Sequence, residues 1–205
     1  MEAAEVLTIG HSTLPYERFL ELLRRANVTA VADVRSAPYS RHYPHFNRDD
    51  LRAELRSDGI SYVFLGKELG GRPSERRFYC EGVADYEKMA QAPEFSEGLK
   101  RVVEGVKKYR VALMCSERDP LDCHRCLLVS RALAQRGVRV SHILDDGSVV
   151  SHTKIEERLL ELSGRTNDDL FAPQSERLAT AYRERARKVA FVEPQPGPGG
   201  PIAAE

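Results

Sequence analysis

Short apolar runs alternate with amphipathic helical patterns along most of the chain. Five of these runs have the length and the β-branched content of buried strands, namely 6–9, 29–32, 60–65, 111–114 and 138–144. Alternation of this kind is typical of βαβ units, in which right-handed crossovers connect parallel strands. The sequence therefore predicts an α/β fold with a mostly parallel sheet and helices on both faces, a Rossmann-like three-layer sandwich.

The chain divides into three predicted parts. A single α/β domain is expected over residues 1–164, where strands and helices alternate. Residues 165–192 carry one more amphipathic stripe, with Leu178 and Tyr182 among its apolar positions, and should form a helical extension packed on that domain. Pro and Gly dominate residues 193–205, so this segment is predicted to be a disordered tail.

Charge and hydropathy argue against two broad classes of protein. The 31 basic and 31 acidic residues cancel, which removes the global positive field on which general nucleic-acid binders rely. No apolar run approaches the ~20 residues needed to cross a bilayer, and the acidic start of the chain lacks the pattern of a secretory signal. We therefore expect a cytoplasmic protein that makes no membrane contact and binds anions, if at all, at a local site.

Polar side chains follow the first two predicted strands directly. His11 and Ser12 come after the first strand, and Asp33 and Arg35 come at the end of the second. Ligands of open α/β sheets bind beyond the carboxyl ends of the strands, so these residues are candidates for one site at that rim. The alternatives are a structural ion pair for Asp33 and Arg35, and a hydrogen-bonding role for His11.

The segment from Cys115 to Arg125 is the strongest local signal for chemistry. It begins with a thiol at the end of an apolar strand and leads through a polar loop, containing Glu117, into a helix. The N–H groups at a helix N-terminus stabilise a thiolate or an anionic ligand, whereas burial of Cys115 would raise its pKa. The spacing from Cys115 to Arg125 is too long for a phosphatase-type loop.

Cys123 and Cys126 form a Cys-x-x-Cys pair, a spacing found in zinc sites and in dithiol redox sites. A zinc site would need further ligands, for which Cys115, His124 and His11 are candidates. A redox site would be expected in a thioredoxin-like context, which this sequence lacks. Because Cys126 also fits a small core residue on a helix face, no metal ligand is assigned from the sequence alone.

Several short motifs resemble those of one protein family, and they occur in order along about residues 6–160. The motifs are Gly10-His11-Ser12-Thr13, Asp33-Val34-Arg35 with Pro38 and Ser40, Leu69-Gly70-Gly71, Cys115 with Glu117, Cys123-His124-Arg125, and His142-Ile143 with Gly147 and His152. On these residues the chain resembles the family called domain of unknown function 488, to whose pattern Cys126 does not belong. The resemblance implies no particular activity.

The candidate residues support three functional hypotheses. The first is a thiol-dependent hydrolase or transferase that acts on a small anionic or nucleotide-like substrate. Its catalytic residues would be Cys115, His11, His124 and Glu117, and its substrate-binding residues would be Arg35, Arg125, Asp33 and Ser12. The second is a non-catalytic module that binds a nucleotide or nucleic acid through the same arginines, although the zero net charge does not favour nucleic acid. The third is a metal site built from Cys115, Cys123 and a histidine.

Truncation after Pro194 tests the predicted tail. The shortened chain should have nearly the same melting temperature as the full chain, because the Pro- and Gly-rich residues bury too little apolar surface to offset the entropy of ordering them. Differential scanning calorimetry of the two proteins measures the difference. A large drop in melting temperature would mean that the tail docks on the domain.

Overall fold

A six-stranded sheet runs through the middle of the molecule, in a computed structural model that describes residues 5–166 and 172–194. The strands are β1 (Glu5–Gly10), β2 (Ala30–Asp33), β3 (Ser61–Phe64), β4 (Tyr79–Cys80), β5 (Val83–Ala84), β6 (Val111–Cys115), β7 (Arg139–Ile143) and β8 (Val149–Ser151). β4 and β5 form a separate antiparallel hairpin, and the others form one sheet in the order β3-β2-β6-β1-β7-β8. All neighbouring pairs in this sheet are parallel except β7 and β8, which confirms the mostly parallel sheet.

Helices cover both faces of the sheet. They are α1 (Tyr16–Arg25), α2 (Arg48–Ser57), α3 (Gly66–Leu69), α4 (Tyr86–Ala90), α5 (Pro93–Val106), α6 (Arg131–Ala134), α7 (His152–Leu162) and α8 (Gln174–Val189). α6 continues a π-helical segment, Arg125–Ser130. α1 and α2 pack on one face of the sheet, and α5, α7 and α8 pack on the other, so the three-layer α/β prediction is confirmed. None of the helices in the described residues is both long and apolar enough to span a bilayer.

Strand β6 contributes to the cores on both sides of the sheet. Ala112 and Met114 belong to the core beneath α1 and α2, whereas Leu113 and Cys115 belong to the core on the opposite face. Every residue of the strand is buried, which is why the sequence shows a continuous apolar run there instead of an alternating pattern. The same alternation directs the Cys115 side chain toward the face that carries α5 and α8.

The region from residue 66 to residue 84 has short regular elements, whereas the many Gly, Arg and Glu residues of 66–82 predict a long irregular loop. It contains the short helix α3, a 3-10 turn over Arg76–Phe78, and the hairpin of β4 and β5. Each of these elements has only two to four residues, too few to produce a recognisable periodicity. Helix α4, with five residues, and strand β8, with three, lack a clear signal in the sequence for the same reason.

The chain after α8 lies along the β4–β5 hairpin. Ala84 donates its N–H to the carbonyl oxygen of Phe191 at 2.9 Å, and Glu193 donates to that of Gly82 at 2.8 Å. The end of the described chain is therefore tied to a part of the fold that is distant in sequence. The rest of the predicted tail, from residue 195 onward, lies outside the described residues.

Gly10, the last residue of β1, allows the loop after β6 to lie directly against the strand end. A Cβ atom at this position would be 1.9 Å from the carbonyl oxygen of Glu117 and 3.0 Å from Nη2 of Arg125. A hydrogen bond beside Gly10 also holds the loop at the end of β1, since Ser12 donates its N–H to the carbonyl oxygen of Ser116 at 2.8 Å. The loop that carries Glu117 is thus fixed to the end of the neighbouring strand.

The substitution Gly10→Ala should destabilise the protein by about 1–3 kcal/mol, because the backbone at Glu117 has to move away from the new methyl group. Gly105→Ala is the matched control, since a Cβ there would lie 3.6 Å from a Val111 methyl and would replace a helical glycine. The control should be neutral or stabilising by up to about 1 kcal/mol. Urea unfolding measures both, and a Gly10→Ala protein as stable as the wild type would contradict the packing described.

Candidate functional site

Four side chains with metal-ligating atoms converge at the carboxyl end of β6. Cys115 ends the strand, Glu117 lies in the loop that follows, and Cys123 and His124 precede the π-helical segment. Their ligand atoms all lie within 4.8 Å of one another. β6 lies between β1 and β2 in the sheet, so the group, called here the rim cluster, occupies the central part of the rim where ligands of α/β sheets bind.

Glu117 Oε2 is the shared hydrogen-bond partner of the two thiols in the rim cluster. The Sγ atoms of Cys115 and Cys123 each lie 2.9 Å from this oxygen. His124 Nδ1 lies 3.6 Å from Cys115 Sγ and 3.9 Å from Cys123 Sγ. The cysteines and the histidine are buried, whereas Glu117 is partly exposed. Two sulfurs, one nitrogen and one oxygen are therefore grouped together, and Glu117 is the partly exposed member of the group.

The His124 ring is held in one orientation. Its Nε2 lies 2.8 Å from the carbonyl oxygen of Val34, a contact that requires Nε2–H as the donor. Gly71 packs against the ring, since a Cβ atom there would lie 2.7 Å from the ring carbon Cγ. Nδ1 is left facing the two thiols. Histidines that ligate metals usually donate their second ring N–H to a carbonyl or carboxylate oxygen in this way.

Burial and neighbouring charges shift the pKa values of the rim cluster in different directions. Burial raises the pKa of Cys115 well above its ordinary value, and burial together with the charge of Cys123 raises that of Glu117. Burial also opposes ionisation of Cys123, but the adjacent Cys115 thiol and the Arg125 guanidinium outweigh it, so the pKa of Cys123 falls well below its usual range. Of the two opposing effects anticipated for Cys115, burial dominates.

Arg125 is a fully buried cation beside the rim cluster. Its guanidinium donates to the carbonyl oxygens of Glu117 at 2.6 Å and Arg118 at 3.0 Å, and its backbone N–H points at Cys123 Sγ at 3.4 Å. A buried guanidinium is costly without a counter-charge, and its hydrogen bonds go to carbonyl oxygens instead of a carboxylate. The lowered pKa of Cys123, to which Arg125 contributes, makes this thiol the acidic partner of the guanidinium. Arg125 was predicted to contact the substrate, but its buried side chain instead holds the backbone of the loop after β6.

His11, Asp33 and Arg35 form a buried network at the ends of β1 and β2. Arg35 Nη2 lies 2.7 Å from Asp33 Oδ2, and Arg35 Nε lies 2.9 Å from Asp33 Oδ1. Tyr62 also donates its hydroxyl to Asp33 Oδ2, at 2.7 Å. His11 Nε2 accepts a hydrogen bond from Arg35 Nη1 at 3.1 Å, and its ring stacks on Phe46 with centroids 4.1 Å apart. Asp33 is thus engaged as an ion-pair partner.

Both ring nitrogens of His11 are used within the protein. Nδ1 donates to the carbonyl oxygen of Ser12 at 3.0 Å, while Nε2 accepts from Arg35. Burial and then the positive charge of Arg35 lower the pKa of His11 to about 4, so the ring is neutral near pH 7. Ser12 has a φ of 46° and serves in the turn that joins β1 to the loop after β6. These two residues orient Arg35 and the loop.

A cleft of about 270 Å³ opens over the rim cluster. Of the residues predicted for the site, those that line the cleft are Arg35, Cys115, Glu117 and His124. The others lie outside its lining, namely His11, Ser12, Asp33 and Arg125. Arg72 and Phe191 also line the cleft, although neither is among the residues predicted for the site. Arg72 follows the Gly70-Gly71 pair directly, which is the signal that points to it, whereas no motif marks Phe191.

A second cluster, formed by Cys126, His142 and His152, lies in the interior. His142 Nε2 lies 3.0 Å from His152 Nδ1. The second nitrogen of each ring contacts a hydroxyl: His142 Nδ1 lies 2.8 Å from that of Thr8, and His152 Nε2 lies 3.0 Å from that of Tyr182. Every ring nitrogen therefore has a protein partner, and burial lowers the pKa of His152 to about 4. The hydrogen bonds fasten α8 to the core. Since Cys123 belongs to the rim cluster instead, the Cys-x-x-Cys pair is divided between two clusters.

The buried, neutral state of His11 predicts a loss of stability in acid. The folded protein protonates this ring only near pH 4, but the unfolded chain does so near pH 6.5, so stability is fully present above pH 6.5 and is lost as the pH falls toward 4. Between pH 7 and pH 5 the loss should be on the order of 2 kcal/mol. Urea unfolding at both pH values should show this part of the pH dependence removed in His11→Gln and retained in His42→Gln, whose histidine is exposed. An unaltered pH dependence in His11→Gln would contradict the assignment.

The family model described as "Domain of unknown function DUF488" matches residues 15–132 of the chain. No curated protein and no solved structure matches it. The matched region contains all four residues of the rim cluster, together with Arg35 and Arg72, whereas α7 and α8 lie beyond it. Because the match spans more than half of the sequence, and the motifs of the rim cluster fall within it, the chain belongs to the DUF488 family.

Proposed function

We propose that the chain is a metalloprotein whose rim cluster binds a thiophilic divalent cation, with zinc as the first candidate. Cys115, Cys123 and His124 would be its ligands, with Glu117 as the fourth. The observation that carries the proposal is the convergence of two sulfurs, one imidazole nitrogen and one carboxylate oxygen within 4.8 Å of one another. Thiolate and imidazole groups together are the donors that zinc prefers in proteins.

The distances between the sulfur and nitrogen atoms support a tetrahedral ion. Glu117 Oε2, which lies at hydrogen-bond distance, 2.9 Å, from each sulfur, would have to move outward by roughly half an ångström to become the fourth ligand. Bonds of about 2.3 Å to sulfur and about 2.0 Å to nitrogen place those two ligand atoms roughly 3.5 Å apart in a tetrahedron. His124 Nδ1 lies close to this separation, at 3.6 Å, from Cys115 Sγ and at 3.9 Å from Cys123 Sγ. The carbonyl oxygen of Val34, on the other ring nitrogen, would orient the histidine toward the ion.

The charge of the surroundings also favours an ion. Two thiolates and one carboxylate carry three negative charges, of which a divalent cation cancels two. The buried guanidinium of Arg125 supplies the remaining positive charge. The metal centre and Arg125 would then be neutral as a unit, which is the condition under which buried charges are tolerated.

Glu117 is the ligand best suited to exchange. It is partly exposed and lines the cleft, whereas Cys123 is buried and does not line it. Release of the carboxylate would open one coordination position toward the cleft, as in catalytic zinc sites with three protein ligands. We infer that a small anionic or nucleotide-like substrate would reach the ion there, with Glu117 available to accept a proton.

A thiol-dependent hydrolase or transferase is the second candidate. It is favoured by one observation, namely that Cys115 lines the cleft, with His124 Nδ1 at 3.6 Å as a possible base. In this case Cys115 would pass its proton to His124 Nδ1 and bond to an electrophilic centre of the substrate, whose leaving group departs with that proton, and no ion would occupy the rim cluster. The two candidates use the same residues but differ in metal content and in the reactivity of the thiol.

Metal analysis of the purified protein tests the first candidate. We expect a stoichiometric ion after dialysis against metal-free buffer, and its loss in Cys123→Ala and His124→Ala, because each substitution removes one ligand. Cys80→Ala, at an exposed cysteine, is the matched control and should keep the ion. Mass spectrometry with elemental detection measures the content of each protein.

Circular dichroism verifies that the variants remain folded. A folded wild-type protein that takes up neither zinc nor ferrous iron on reconstitution would contradict the metal proposal. If Cys115 were then the first cysteine to be alkylated near neutral pH, the thiol-dependent enzyme would be the correct candidate.

A further inference from the structure

The segment after α8 forms one wall of the cleft above the rim cluster. Val189 and Phe191 line the cleft. The N–H of Ala84, in the β4–β5 hairpin, donates to the carbonyl oxygen of Phe191 at 2.9 Å and so holds the segment in place. This wall comes from outside residues 15–132, which the family model matches. The lining therefore combines residues of the family region with a surface that the C-terminal part of the chain supplies.

Arg72 is oriented by this wall. Its guanidinium carbon lies 5.0 Å from the centroid of the Phe191 ring, within the range of a cation–π contact. Its backbone N–H donates to Ser36 Oγ at 2.9 Å, and the preceding Gly71 packs against the ring of His124. The side chain is exposed and lines the same cleft as Glu117. Arg72 is thus fixed at both its backbone and its charged end.

The other charged residues of the cleft lining are already balanced. Arg35 pairs with the buried Asp33 at 2.7 Å, and Asp122 pairs with Arg185. Glu117 belongs to the rim cluster, whose charge Arg125 balances. Among the residues that the structure describes, Arg72 has no carboxylate partner within 4.0 Å. Within the described part of the chain, Arg72 is therefore the charged residue of this lining that lacks a counter-charge.

We propose that Arg72, positioned by Phe191, binds the anionic group of the ligand and selects a small oxyanion, a carboxylate or a phosphate. The inference rests on the proposed metal centre for the second contact of the ligand. A guanidinium donates two parallel hydrogen bonds to an oxyanion, and its positive charge matches one negative charge. Since the metal centre and Arg125 are neutral together, Arg72 is what gives the cleft its preference for an anion.

Phe191 has a separate part in this proposal. Its ring restricts the guanidinium to one side of the cleft, so less conformational entropy is lost when the ligand binds. Removal of the Phe191 ring keeps the positive charge of Arg72 but no longer restricts the orientation of its guanidinium. Phe191→Leu keeps an apolar side chain against the wall without the π face, and therefore separates positioning of Arg72 from packing of the segment.

Titration calorimetry with inorganic phosphate, and separately with acetate, tests the proposal on the full chain. The expected result is measurable binding of at least one probe by the wild type, weakened about tenfold or more in Arg72→Ala and less strongly in Arg72→Lys and Phe191→Leu. Arg76→Ala, at an exposed arginine in the same region, is the matched control and should bind like the wild type. The probe that binds more tightly identifies the class of oxyanion.

Metal content is measured on every sample, so that the two proposals can fail separately. Equal affinity for the probes in wild type and Arg72→Ala overturns the role of Arg72, as does a metal-loaded wild type that binds neither probe. Wild-type affinity in a folded Phe191→Leu overturns the positioning by Phe191. If the wild type contains no metal but its phosphate binding depends on Arg72, the oxyanion site stands and the metal centre fails.

Discussion

The buried guanidinium of Arg125 is the interaction on which the arrangement of the rim depends. It draws the carbonyl oxygens of Glu117 and Arg118 toward it, and so returns the loop after β6 to the end of β1. Only a glycine at position 10 leaves room for that loop. With the backbone fixed in this way, the Glu117 carboxylate comes to lie between two thiols. The charge of Arg125 also requires an anionic neighbour, so one side chain determines both the shape and the charge of the cluster.

The network of Asp33, Arg35, Tyr62 and His11 supports the same rim from the side of β2. Its ion pair is buried, and each polar atom described in it has a partner at hydrogen-bond distance, the condition under which such pairs are tolerated in a protein interior. Arg35 still reaches the lining of the cleft, but its charge is used by Asp33. Of the two arginines that line the cleft, Arg35 is therefore paired with a buried carboxylate, whereas Arg72 has no carboxylate partner among the described residues.

The fold was predictable from the sequence where burial leaves a pattern. The run 111–114 is apolar at every position because it feeds two cores, and such a run identifies a central parallel strand. The convergence of Cys115, Glu117 and His124 at the rim was also predictable, because ligand sites of such sheets lie beyond the carboxyl ends of the strands. The direction of Arg125 was not predictable, because an arginine in a first helical turn can face a ligand or a backbone carbonyl with equal ease. Arg72 and Phe191 meet through the packing of α8 and a two-residue strand, which no local pattern encodes.

The position of Phe191 makes the cleft depend on the last part of the described chain. All four residues of the rim cluster precede residue 125, and the strands that flank β6 in the sheet precede it in the chain. The wall that contains Phe191 follows the last residue of the cluster, His124, by 67 residues and comes after α7 and α8. Because this wall comes from the end of the described chain, the cleft is complete only when α8 and the segment after it have packed on the domain that carries the rim cluster. The shape of the cleft above the cluster therefore depends on a part of the chain that contributes no residue to the cluster itself.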